Sequence, residues 1–227
     1  MRKVFPVVFM AFQVYFIACS QPVNKQYATL VGECEGCEGV FEYGNKSLFP
    51  VDTLPDFREP GPKIKVTGTV YLPDGKTPAR NVILYVYHTN QKGIYENKYG
   101  ENNWERRHGY IRGWMKTGKD GRYAFYTLKP GTYPDRSEPV HIHITILEPD
   151  GKYYWLGSYH FEGDPLLTKK ERTPVSPRGG SSGIISLKKE GEIHAGERDL
   201  ILGKNVPGYD LVLLGTVVIF RGTTQIR

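Results

Sequence analysis

His141 and His143 lie one residue apart in Val140-His141-Ile142-His143-Ile144-Thr145-Ile146-Leu147, and their type and spacing point directly to metal chemistry. The β-branched alternation predicts a strand with Ile142, Ile144 and Ile146 on one face and His141, His143 and Thr145 on the other. Side chains two apart on a strand share a face at a separation of ~6.6 Å, so two imidazoles leaning together can bind one ion at about 2.1 Å. On its own a His-x-His pair on a solvated strand face is often only polar surface, and the motif needs partners. Tyr133 is a candidate, because it precedes Pro134, and the residue before a proline is driven to extended geometry. That geometry can hold its phenol toward the histidines.

The elements that would position these groups read as short strands. Ile64, Val66, Gly68 and Val70 alternate with Lys65, Thr67, Thr69 and Tyr71, and Pro73-Asp74-Gly75 supplies turn chemistry. Further strands are expected at 82–88, 114–117, 122–127, 140–147 and 153–161, with a last apolar run at 210–221. Many short strands with Gly and Pro turns and no strong helical period predict an all-β chain folded as a β-sandwich. The polar loop 89–112 is long for a compact domain, and such loops are more often functional than idle.

Residues 1–18 carry Arg2 and Lys3, then an apolar run from Val4 to Ile17 that is short of ~20 residues and is interrupted by Pro6 and Gln13. This is the pattern of an export signal. Ile17-Ala18-Cys19 resembles a bacterial lipobox, in which Cys19 takes the lipid, although Phe16 departs from the commoner Leu. The expectation is an exported protein of the bacterial cell envelope, lipid-anchored to the membrane or periplasmic. Residues 19–62, with Pro22, Pro50, Pro55, Pro60 and Pro62, suit an extended arm, and 63–227 the sandwich domain. Cys34 and Cys37 suit a local disulfide, because no strand-then-helix context points to a redox centre and no second cysteine pair could complete a zinc site. Without Arg2 and Lys3 the 30 basic residues become 28 against 24 acidic ones, a scattered net charge of +4. Nothing in that distribution supports a nucleic-acid partner.

Several ordered motifs carry a more specific signal. Asp74 to Val82, Tyr87-His88-Thr89-Asn90-Gln91-Lys92-Gly93-Ile94-Tyr95, Thr117 to Gly121, Tyr123 to Pro134, His141-Ile142-His143 and Phe161-Glu162-Gly163-Asp164 together resemble the intradiol ring-cleavage dioxygenases, the catechol and protocatechuate dioxygenase family. The resemblance covers residues 63–168 continuously. It implies a β-sandwich with a non-haem Fe(3+) ion held by Tyr95, Tyr133, His141 and His143, Tyr95 also being catalytic. It implies cleavage of a catechol-type diol with O2 to a muconate-type diacid. Phenolates are hard anionic donors suited to ferric iron, and a trivalent ion can keep a phenol deprotonated despite its free pKa of about 10. Tyr99 and Tyr110 compete with Tyr95 for the loop position.

The surroundings depart from the family. Where its members commonly have Arg-Pro-Ala before the first histidine, this chain has Glu138-Pro139-Val140, with Arg136 two residues earlier. Tyr87 replaces a tryptophan, and Ser158 and His160 replace a Gln and a Tyr before Phe161. Tyr87, Arg136, Glu138, Ser158 and His160 are therefore candidate substrate-binding residues, although His160 suits packing or a hydrogen bond near the sheet edge somewhat better. His88 and His194 suit structural or exposed positions, and His108 is open. The alternative function is a non-catalytic β-sandwich lipoprotein that serves as a surface binding module.

Overall fold

The computed structural model describes residues 28–98 and 103–210. The signal and lipobox expectations, Tyr99, and the apolar run beyond Asp210 fall outside the described residues. In order, the chain forms β1 (Thr29–Leu30), β2 (Val51–Thr53), β3 (Lys63–Tyr71), β4 (Ile83–Tyr87), α1 (Glu105–His108), β5 (Arg112–Lys116) and β6 (Arg122–Leu128). β7 (His141–Leu147), β8 (Lys152–Trp155), β9 (Tyr159–Phe161), α2 (Lys169–Arg172), β10 (Ile184–Ile185), β11 (Lys188–Glu190), β12 (Ile193–Glu197) and β13 (Leu200–Ile201) follow.

One sheet runs β1-β8-β7-β4-β5, with β9 on β7 and β10 on β9; the other runs β11-β12-β3-β6-β2, with β13 on β3. This is the expected β-sandwich. Burial along β3 alternates at every residue, so Ile64, Val66 and Val70 point inward while its lysines and threonines face out. They meet Leu84, Val86, Met115, Phe125, Ile142, Ile144 and Ile146 in one apolar core. At about 1.5–3 kcal/mol for each fully buried side chain, this layer dominates the stability of the fold.

The stretch 153–161, expected as one strand, is two. β7 pairs with β8 through Thr145 to Leu147 and with β9 through His141 and Ile142, so the chain must step along the edge of β7 between them. Gly157, at φ 86, takes part in that step in a conformation L side chains rarely adopt.

The extended arm expected within 19–62 is also corrected for residues 28–62, which pack against both sheets. β1 pairs with β8 and β2 with β6, both in parallel. Leu54 is buried, and the buried Asp56 accepts hydrogen bonds from Thr127 Oγ1 (2.8 Å) and the Leu128 N–H (3.2 Å). The 3-10 turn Cys37–Phe41 lays Cys37 and Val40 against Ile83, Tyr85, Trp114 and Leu147 on the outer face of the first sheet. The prolines disrupt regular structure here without preventing docking, because an outward sheet face rich in aromatics needs cover. That cover leaves one end of the face open.

Candidate active site

The open end is where β4 and β7 carry Tyr87 and His143. The antiparallel register sets these two residues directly opposite each other, and their rings stack with centroids 4.4 Å apart. His141 lies two residues earlier on the same face. Its Nδ1–H donates to the Pro139 carbonyl (2.8 Å), which in the neutral ring leaves Nε2 with an outward lone pair. The two Nε2 atoms are 3.0 Å apart.

Two loops bring the phenols. Tyr95 follows Gly93, at φ 76, and Tyr133 follows Thr132; a Cβ on Gly93 would come within 1.8 Å of the Thr132 carbonyl oxygen. Only a glycine lets the two backbones touch in this way. Tyr95 Oη then lies 3.0 Å from Tyr133 Oη and 2.8 Å from His143 Nε2, and Tyr133 Oη lies 3.2 Å from His141 Nε2. Four donor atoms from a loop, a second loop and one strand therefore converge on a common point. Burial pushes the Tyr95 phenol well above the usual tyrosine range, with the neighbouring Tyr133 hydroxyl adding to the effect, and burial raises Tyr133 as well. Burial, followed by the neighbouring His141, holds His143 far below the usual imidazole range. Its ring is neutral at pH 7 and fit to be a ligand.

The other candidates divide. Tyr110 does not join the cluster; it is buried in the core and its hydroxyl donates to Glu59 (3.1 Å). Tyr87 packs as a plate between His143 and His108, whose ring centroid is 3.7 Å away on a nearly parallel plane. His108 is thus a support of the site. It is stacked in turn on Trp104 and hydrogen-bonded through Nδ1 to Tyr85 (2.8 Å), and burial lowers it to about 3. Sequence reasoning missed Trp104 altogether; a lone tryptophan in a polar loop was the available signal. His88 is structural, its Nε2 2.7 Å from Thr127 Oγ1 and its Nδ1 2.7 Å from the Thr89 carbonyl. His194 lies on β12 in the opposite sheet.

Glu138, Ser158 and His160 line a cavity of about 600 Å³ that also touches His141, His143 and Trp155. Arg136 stands exposed at φ 55 in the turn after Tyr133 and is not among the residues lining the cavities beside the cluster. Cys34 and Cys37 are disulfide-bonded. Their bridge braces the turn that places Gly36 against His108.

A β-sandwich with a mixed phenol and imidazole cluster on the outer face of one sheet is a specific class of architecture. The family model described as Dioxygenase matches residues 46–175. The chain is 29% identical over 180 residues to the protocatechuate 3,4-dioxygenase beta chain of Burkholderia cepacia, covering 70% of this chain and 75% of that protein. It is 29% identical over 184 residues to catechol 1,2-dioxygenase 1 of Acinetobacter lwoffii, covering 68% of this chain and 57% of that one. Its fold is similar to the solved structure of catechol 1,2-dioxygenase from Acinetobacter sp. ADP1, with a TM-score of 0.51 at 19% identity over 78% of this chain and 60% of the other. The chain belongs to the intradiol ring-cleavage dioxygenase family and is an oxidoreductase of that kind.

Proposed function

We propose that this protein uses ferric iron to cleave a catechol-type diol with O2 between its two hydroxyl-bearing carbons, releasing a muconate-type diacid. The observation that carries this is the spacing of the four donor atoms, whose neighbouring separations run from 2.8 to 3.2 Å. Ligands at right angles, each about 2.1 Å from one ion, lie about 3.0 Å from each other. The donor set fits the metal: two of the four donors are phenol oxygens and two are imidazole nitrogens. Hard anionic oxygens with two neutral imidazoles suit Fe(III) better than zinc or calcium.

When bound, a ferric ion would supply the positive charge that keeps both phenols deprotonated and the electronic coupling between diol and oxygen. The protein does the rest. His141 and His143 are held on one strand, the first by the Pro139 carbonyl and the second by the Tyr87 ring. Tyr95 and Tyr133 sit on loops, so the phenols rather than the strand histidines are the donors able to give way to a diol and to accept a diol proton on Oη. Tyr87, His108 and Trp104 form an aromatic stack, and Tyr87 covers one face of the His143 ring.

Aerobic reconstitution is expected to load about one ferric ion per chain and to produce the visible charge-transfer absorption of iron phenolate. Catechols should shift that band and be consumed with oxygen uptake at an electrode. A colourless, iron-free product would refute the metal assignment.

The same proposal places the protein at the cell envelope through a lipid on Cys19. Fractionation checks it: Cys19→Ala should move the protein from membranes to the soluble fraction. An unchanged distribution would rule out the anchor.

A further inference from the structure

We propose that Glu138 tunes this site for catechols whose ring substituent is cationic, with an ammonium arm preferred, and against catechol carboxylates. The inference rests on the site being a diol site and adds the substrate's charge class to it.

Glu138 Oε2 lies 3.9 Å from His141 Nε2, on the side of the donor cluster where the 600 Å³ cavity opens. Its carboxylate is near enough to help raise both the Tyr133 and Tyr95 phenols, after the larger effect of burial. A diol bound at the four donors would therefore lie close to the Glu138 carboxylate. The cavity behind Glu138 also carries the positive charges of Lys170, Arg178 and Arg198, and the two arginines are anchored away from Glu138 by backbone carbonyls. Arg198 donates to the Leu156 and Ser158 carbonyls (3.2 Å each), and Arg178 donates to the Trp155 carbonyl (3.1 Å) while lying over the Trp155 ring. Lys170 is exposed on α2, beside Glu171.

A second cavity, of about 290 Å³, reaches His143 from the other side of Trp155. Glu33 and Glu35 line it, and no lysine or arginine does. Glu35 is paired with Arg107, whereas Glu33 is exposed. A third cavity, of about 220 Å³, touches Tyr95, Tyr133 and His143 and holds Arg107 paired with Glu35. The carboxylate nearest the donors that is not offset by such a pair is therefore Glu138, which shares its cavity with the Trp155 ring, a pairing that attracts an ammonium group.

Exposed as Glu138 is, a single charge at this range changes affinity by about threefold to tenfold. The test is a titration of the iron-loaded protein at low ionic strength with three probes, catechol, 3,4-dihydroxybenzoate and 3,4-dihydroxyphenethylamine, following the shift of the charge-transfer band. The amine is expected to bind about threefold to tenfold more tightly than catechol and the carboxylate weaker by a similar factor. Glu138→Gln should collapse that spread, and Glu138→Arg should reverse it. If all three probes bind alike in the parent, or if the spread survives in Glu138→Gln, the charge proposal is overturned while the diol site stands. A band that no diol perturbs overturns both.

Discussion

Tyr133→Phe is expected to fold like the parent, to remain nearly colourless with ferric iron, and to lose catechol cleavage by at least about a thousandfold. The substitution removes one oxygen and nothing else. That hydroxyl makes its contacts with Tyr95 and His141, inside the cluster, and the ring is only half-buried, so the change in stability should stay within about 1 kcal/mol. Ferric affinity should fall by at least about a hundredfold, since even groups that merely orient a ligand are worth ten- to a hundredfold. Tyr110→Phe is the matched control, because its hydroxyl binds Glu59 rather than the cluster, and it should keep the colour. Visible absorption and iron content per chain, measured beside far-ultraviolet circular dichroism, decide the matter. A fully coloured Tyr133→Phe protein would mean that the fourth donor comes from elsewhere. Loading should also weaken as the pH falls, because both phenols are held above the usual tyrosine range and must give up protons to the incoming ion.

Gly93→Ala should do comparable damage from outside the donor set. A methyl group there meets the Thr132 carbonyl at 1.8 Å, and at Gly131 the facing position comes within 2.3 Å of the Gln91 carbonyl. These glycines let the Tyr95 and Tyr133 loops lie against each other, tied by Gly131 N–H to the Asn90 carbonyl (3.0 Å) and Thr89 Oγ1 to the Gly131 carbonyl (2.9 Å). Relieving the clash must pry the loops apart next to both phenols, and a shift of about 1 Å in a catalytic group can cost about a hundredfold in rate. The added positive-φ strain is on the order of 1–3 kcal/mol, which the sandwich core should tolerate. Gly163→Ala has a similar φ of 83 but meets nothing within 4 Å, so it should lose some stability and keep its iron. Ferric affinity equal to the parent's in folded Gly93→Ala would show that the loop contact does not set the site.

The legible part of this chain was whatever repeats at the period of a strand. Alternation along β3 and β7 separated the inner from the outer face: Ile142, Ile144 and Ile146 join the core, while the His141 and His143 rings meet each other on the opposite side. Strand 153–161 was misread because its interruption comes from β7 exchanging one partner for another, and pairing between distant segments leaves no local pattern. The N-terminal segment was misread for a related reason: its prolines report only local conformation, whereas its docking is dictated by the aromatic face of Tyr85 and Trp114.

What the sequence by itself determined, then, was the all-β class, the histidine pair and the kinds of donor, because side-chain direction in a strand follows from chain geometry alone. Tertiary structure decided which loop tyrosine reaches the pair, through two glycines that permit backbone contact. It also decided that His108 and Trp104 support Tyr87, and that Glu138 faces the cluster while Arg136 does not. Each of these depends on where a loop lies relative to a sheet it does not neighbour in sequence. Long-range packing holds that information, and no window of residues contains it.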